Sequence, residues 1–416
     1  MKESRTLEYK EDISNSFLKT VSAYSNYDGG KIIFGIRDDG TLKGIADVRQ
    51  ACLDIENKIN DSIDPVPEYS LQINEKNSTV VLEVQEGAFK PYLYKGKAYK
   101  RNDTSTIETE RLELSRLILE GQNISFEELP ASRKKLSFTC LEKSLKKTLR
   151  LKSVSQDTLK TLELYQNGKG YNKAAELLSD ENKFCGMDCV RFGENINIIL
   201  DRENLSGQSV LMQYENAVNM YRKYYQYEQI KGMKREKISA IPEEAFREAV
   251  ANAIVHRSWD INACISVAMH PYKIEITSPG GLPKGMSVNE YLNGGISILR
   301  NRILGGIFFR LRLIEHFGTG IKRINESYAK SSVKPVFDIT ENSIKITLPV
   351  LQASNNLGED ENTILSTVRG IALSSTEIAK SAGFGKTKTI TLLKRLTQQG
   401  YIKTIGSGRG TRYLIR

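Results

Sequence analysis

EAFREAVANAIVHR, residues Glu244 to Arg257, has the apolar spacing of a helix, with Phe246, Ala249, Val250, Ala253 and Ile254 covering much of its circumference. Glu248, Asn252 and His256 recur at every fourth position of the same segment, so they stack along one face of an otherwise buried helix. Such a polar stripe points to a ligand. A carboxylate can orient a water at a terminal phosphate, and an amide oxygen one turn later can complete the shell of a magnesium ion that phosphate oxygens already hold. Two glycine turns follow, Pro279-Gly280-Gly281 and Gly318-Thr319-Gly320. Without a Cβ in the way, their backbone N–H groups could approach phosphates. A polar face satisfied within the fold is the alternative, and it leaves those turns unexplained.

Four motifs occur in order: EAFREAVANAIVHR, ITSPGGLP (Ile276 to Pro283), RNRIL (Arg300 to Leu304) and EHFGTGIKRI (Glu315 to Ile324). Over residues 235–350 they resemble the GHKL, or Bergerat-type, ATPase fold in its divergent bacterial branch. The resemblance implies an α/β sandwich that binds ATP with Mg²⁺. It makes Glu248 the water-activating base and Asn252 the magnesium ligand, puts His256, Gly280 and Gly281 at the nucleotide, and gives Gly318 and Gly320 to the phosphate lid. Ser278 stands where the wider class keeps the aspartate that reads the adenine amino group. ATP binding is therefore expected, while hydrolysis, at most weak, is left open.

Bulk properties frame this reading. A chain of 416 residues, 39% apolar and 26% charged, suits a soluble multidomain protein. The charged N-terminus and the lack of any long apolar run give no secretory signal or membrane span, so a cytoplasmic protein is expected. Cys52, Cys140, Cys185, Cys189 and Cys264 are scattered, which suits reduced thiols better than a disulfide framework, and Cys185 and Cys189 lack the partners of a zinc site.

Upstream, a helix is expected around Ile13 to Tyr24, then strands at Lys31 to Ile36, Val80 to Val84 and Tyr92 to Tyr99. ESRTLEYK (Glu3 to Lys10), SAYSNYDGGKIIFGIRDDG (Ser22 to Gly40) and KPYLYKGKAYKRND (Lys90 to Asp103) resemble the AlbA-like (AlbA_2) domain of the Schlafen superfamily. In eukaryotic Schlafens that domain can act as a metal-dependent endoribonuclease on structured RNA such as tRNA. The resemblance aligns its acids with Glu3, Glu8 and Asp38, which would hold Mg²⁺ or Mn²⁺ at a scissile phosphate. Glu3 and Glu8 fall on opposite faces of an ideal strand, so the segment must bend for them to meet. Lys10, Lys100 and Arg101 would be the phosphate contacts.

Residues 126–234 read as a connector domain. It carries a basic stretch from Arg133 to Lys152, suited to a linker helix or an RNA-facing flank, and a tyrosine-rich helix from Gly207 to Tyr227, read as packing rather than base stacking. After a linker from Leu351 to Asn362, residues 360–416 resemble a winged helix-turn-helix, with helices at Thr363 to Val368, Ser375 to Ser381 and Lys386 to Gln398 and a hairpin from Tyr401 to Leu414. From Glu361 to Arg416 there are ten Lys and Arg against two acidic residues, a footprint for phosphate backbones. Lys386 and Lys388 open the third helix, where a major-groove reader meets base edges, and Arg409 and Arg412 sit on the wing.

The expected fold class is thus α/β multidomain (α+β): an AlbA-like module at 1–125, the connector, a GHKL-like sandwich and a winged helix. Two functions fit. The favoured one is a Schlafen-like endoribonuclease regulated by nucleotide, in a setting such as phage defence or stress response. The other is an ATP-responsive DNA-binding transcriptional regulator without nuclease activity. Both take RNA or DNA as partner, need no membrane and suit a homo-oligomer.

Overall fold

In Thr79–Val84 the inward positions Val80, Leu82 and Val84 alternate with more exposed ones, the period of a strand with one buried face. This strand is internal to a four-stranded sheet. Gly30–Phe34 pairs with it antiparallel and, on its other side, lies parallel to Leu7–Lys10; Tyr69–Asn74 forms the far edge. Helices Phe17–Asn26 and Val48–Ser62 contribute Phe17, Val21, Ile55 and Ile59 to the core beneath. The structure, a computed structural model, describes residues 2–415 except 151–152, 232–233, 295–297, 316–317, 352–357, 369–370, 399–400 and 407, and describes only the backbone at Lys231, Gln398 and Arg409. Half of the expected linker, residues 352–357, therefore lies outside the described residues.

Two local expectations change here. The strand expected over Tyr92 to Tyr99 breaks into Leu93–Tyr94 and Tyr99–Asn102, because Lys95 and Gly96 turn the chain with φ of 51° and 73°. The helix Val48–Ser62 was not expected, although Ala51, Ile55 and Ile59 recur at helical spacing and are buried; its start is set by Asp47, whose carboxylate accepts from the N–H groups of Arg49 and Gln50.

The boundary expected between a connector and an ATPase-like domain disappears. Ile199–Asn204 and Met187–Phe192 join Ile265–His270, Lys273–Pro279, Ser343–Pro349 and Val336–Ile339, in that spatial order, in one six-stranded sheet. Met187–Phe192 runs parallel to Ile265–His270, and the remaining neighbours are antiparallel. Helices Val210–Tyr225 and Glu243–His256 pack together, with Tyr221 stacked on Phe246 at 4.6 Å between ring centroids. One continuous core runs from Cys140 to Leu348, so residues 126–234 have no separate interior. Tyr214, Tyr221 and Tyr225 are buried in it, as packing required.

The cysteines differ from expectation as well. Cys185 and Cys264 form a disulfide, leaving Cys52, Cys140 and Cys189 free. The pairing joins residues 79 apart in sequence, and only the parallel register of Met187–Phe192 against Ile265–His270 brings them side by side.

The C-terminal module has its own core of Ile364, Leu365, Val368, Ile378, Leu393, Leu396 and Ile402. Its helices are Glu359–Thr367, Ser375–Ala382 and Lys386–Gln398, and Leu373–Ser374, Ile402–Ile405 and Arg412–Ile415 form a three-stranded antiparallel sheet. Ser374, one residue ahead of the expected position, caps the second helix reciprocally with Glu377. Among the described residues no helix is long and apolar enough to cross a membrane.

Candidate functional site

Glu243–His256 is almost wholly buried, and its polar stripe emerges against a second helix, Gly320–Ser327. A Cβ on Gly320 would overlap the Glu248 carboxylate and stand 2.8 Å from Asn252 Nδ2, so a larger residue there would push aside the tips of both side chains. Glu248 is 7% exposed, and burial lifts its carboxyl to about 7. The charge of Arg323 and a hydrogen bond from Asn252 oppose that rise, while Glu244 and Glu315 add to it. A carboxyl poised near neutrality beside an amide has the protonation balance of a general base. Arg323, a turn beyond Gly320, is the cation that the sequence reading passed over although it lies within the quoted motif; its spacing from Gly320 was the available signal.

One turn further along, Asn252, Ala253 and His256 line a cavity of about 10 Å³ with Ile276, Ser278, Tyr291, Ile344 and Ile346. The lining has the mostly apolar character of a base pocket, but the volume holds roughly one water. A purine does not fit in a space of this size. Burial drives the Tyr291 phenol up to about 12. It also holds the His256 imidazole down at about 4, helped by the nearby Arg300, so His256 is neutral here. The Ser278 hydroxyl donates to Ala253 O at 2.8 Å, which leaves its oxygen lone pairs directed elsewhere as acceptors.

The first glycine turn has a different task from the one expected. Gly280, with φ of 99°, donates its N–H to Asn342 O at 2.8 Å and would clash with Ser258 if it carried a Cβ. A Cβ on Gly281 would lie 2.5 Å from Glu341 O, and Arg300 donates to Gly281 O at 2.8 Å. Both glycines thus pack closely on neighbouring residues, and the Gly280 N–H is directed to backbone. Gly318, with φ of 61°, packs its carbonyl against Gly294, at the end of the helix Val288–Asn293 that carries Tyr291.

The N-terminal acids do not assemble as expected. Glu8 is buried, and its carboxylate is engaged by Arg101, by Lys10 at 2.5 Å and by the Thr20 hydroxyl at 2.9 Å. Glu3 accepts from Tyr9 N at 2.9 Å, and Asp38 lies exposed in the turn after Gly30–Phe34. Among the described residues, no three His, Cys, Asp or Glu side chains form a group that could hold a metal ion. The reason is the parallel pairing of Leu7–Lys10 with Gly30–Phe34, which turns Glu8 inward under Thr20 while the chain carries Asp38 beyond the sheet's end.

Each of the expected phosphate contacts in this module meets a carboxylate. Arg101 is buried with Glu8, donates to Ser4 O at 3.1 Å and lies over the Tyr24 ring; Lys10 holds Glu8; Lys100 pairs with Glu113 at 2.7 Å. In the C-terminal module Lys386 is exposed at the first position of its helix. Lys388 pairs with Asp360 at 2.7 Å over the Phe384 ring, and Arg412 donates to Ala372 O at 3.0 Å. The Arg409 side chain lies outside the described residues.

Residues 3–110 match the family model described as Schlafen, AlbA_2, and residues 262–348 match that of "Putative ATP-dependent DNA helicase recG C-terminal", consistent with an AlbA-like domain followed by an ATPase-like one. Together these matches indicate a nucleic-acid-binding protein. The second match begins after Glu243–His256, so the polar stripe lies just ahead of it. No curated protein matches the chain. Among solved structures, the DIP2311 protein from Corynebacterium diphtheriae is 17% identical, with a TM-score of 0.49 over 99% of this chain and 92% of that one. The N-terminal domain of a RecG-related protein from Nitrosomonas europaea is 25% identical, with a TM-score of 0.19 over 26% of this chain and 80% of that one.

Proposed function

We propose that this chain is a nucleotide-responsive nucleic-acid-binding protein, in which a magnesium nucleotide held by Glu243–His256 and Gly320–Ser327 adjusts how the terminal modules engage RNA or DNA. The observation that carries this reading is the meeting of Glu248, Asn252 and Gly320 at one point. Asn252 would ligate Mg²⁺, Arg323 would face the phosphates, and the base would enter beside Ser278 when Tyr291 moves aside. Bound nucleotide supplies a phosphoanhydride and its metal; Glu248, near neutrality, would accept the proton of an attacking water if hydrolysis occurs. The C-terminal module, read as a winged helix, would use Lys386 and the Arg409 hairpin on DNA.

The binding reading is preferred to an endoribonuclease because Glu8 is committed to Arg101 and Lys10 while Asp38 stands apart in solvent. Calorimetry with Mg²⁺-ATP tests the nucleotide site: Asn252→Ala should weaken binding by about tenfold, or 1.4 kcal/mol. Unchanged affinity would remove the site. Incubating the full chain with structured RNA and Mn²⁺ tests the other half. Cleavage that vanishes in both Glu8→Gln and Asp38→Asn would restore the nuclease.

A further inference from the structure

We propose that the cationic face of the helix Thr139–Leu149, extended by Arg150, is a docking surface for the phosphate backbone of nucleic acid. This rests on the nucleic-acid-binding reading above and locates a contact outside both terminal modules.

The helix forms because Leu141 and Leu145 fall on one face, where they are fully buried beside Cys140 and pack toward Val210–Tyr225. Asp180 accepts from the N–H groups of Thr139 and Cys140, which fixes its start. At 100° per residue, Lys143 and Lys147 then lie about 40° apart on the opposite face, and Arg150, with φ of 56°, ends the helix less than a turn beyond Lys147. All three are exposed, and none has an ion pair among the described residues. The one carboxylate on the helix, Glu142, is occupied by Lys146 at 2.7 Å.

From Arg133 to Arg150 the chain carries seven cations and one acid. The helix dipole accounts for cations in the last turn, worth about 0.3–1 kcal/mol each, but not for Lys134 and Lys135, which precede the helix on its positive side. The contrast with the N-terminal module is direct. There, Lys10, Lys100 and Arg101 are each neutralised by a carboxylate; here, among the described residues, Lys143, Lys147 and Arg150 are not. Lys143 to Arg150 spans about 10 Å at 1.5 Å per residue, which matches roughly three phosphates of one strand at 3.4 Å along a duplex axis. Long cationic side chains on a rigid helix suit backbone contact without base readout.

The test compares the full chain with Lys143→Gln/Lys147→Gln/Arg150→Gln and with a control that removes three scattered exposed lysines, Lys76→Gln/Lys169→Gln/Lys330→Gln. Binding of a labelled DNA duplex of about 20 base pairs, and of a single-stranded RNA of similar length, is followed between about 50 and 200 mM salt. The helix variant should bind at least one of them about tenfold more weakly, with a log–log salt slope shallower by about 2 to 3, while the control keeps the wild-type slope. Whichever probe responds identifies the nucleic acid. Equal effects of the two variants, or no effect of the first on a wild-type chain that binds, would overturn the surface and leave the binding reading intact. A wild-type chain that binds neither probe would overturn both.

Discussion

At Gly320 the absence of a Cβ lets the Glu248 and Asn252 side chains reach the start of a helix. Alanine there should favour the helix intrinsically, by roughly 1 kcal/mol, yet its Cβ would displace the Glu248 carboxylate and crowd Asn252. Gly320→Ala should therefore leave the melting temperature nearly unchanged while weakening Mg²⁺-nucleotide binding, a pairing that calorimetry and a thermal melt would read together. Glu248 makes a second prediction. Its folded carboxyl, near 7, sits above the ordinary 4.5, so its contribution to stability is complete below about pH 4.5 and is lost as pH rises through 7. In urea titrations from about pH 5 to pH 8, wild-type stability should fall relative to Glu248→Gln, which cannot ionise. Parallel curves would show that the carboxyl titrates as a solvated group.

At the scale of elements, the helix Arg302–Arg310 begins in the interior with exposed donors that nothing in its own sequence satisfies. Glu127, fully buried on the short turn Phe126–Glu128, accepts from Ile303 N at 2.6 Å and Leu304 N at 3.0 Å and so caps this helix from 176 residues away. Burial pushes the Glu127 carboxyl up to about 7 against those two hydrogen bonds. Glu127→Ala leaves both N–H groups unpaired in a dry site and should cost about 2–4 kcal/mol, visible as a lower urea midpoint at an unchanged slope. A cap supplied by a distant element has no sequence signature. The reciprocal box of Ser374 and Glu377, by contrast, is local and could be anticipated almost to the residue.

Across the whole molecule, the N-terminal module and the six-stranded body meet through charge. Lys284, just beyond the first glycine turn, bonds to Glu86 and to Glu120 at 2.9 Å, and the same two carboxylates hold the buried Lys90. Burial works against ionisation of Glu86 and Glu120, but the two lysines prevail and keep both below the usual carboxylate range. Arg116 adds a two-pronged bond to Asp260, and Arg300 holds the carbonyls of both Gly281 and His256. The candidate nucleotide pocket is thus joined by a few residues to the AlbA_2 domain. Lys284→Ala combined with Arg116→Ala should leave nucleotide affinity within about twofold while erasing any nucleotide-induced change in nucleic-acid affinity. Retained coupling in that variant would mean that the two regions communicate by another route.

The sequence by itself determined the elements whose information is local: the site helix with its polar stripe, the strands with a single buried face, the glycine-marked turns and the three-helix pattern at the C-terminus. Periodicity and capping chemistry act over a few residues, so they can be read without coordinates. Only the tertiary structure decided which side chains meet. Glu8 and Arg101, 93 residues apart, met through the packing of separate strands, one shared core joined two expected domains, and strand register brought Cys185 to Cys264. These outcomes depend on contacts between residues far apart in the chain, where a buried charge takes whichever partner the fold delivers and no short-range pattern records the choice.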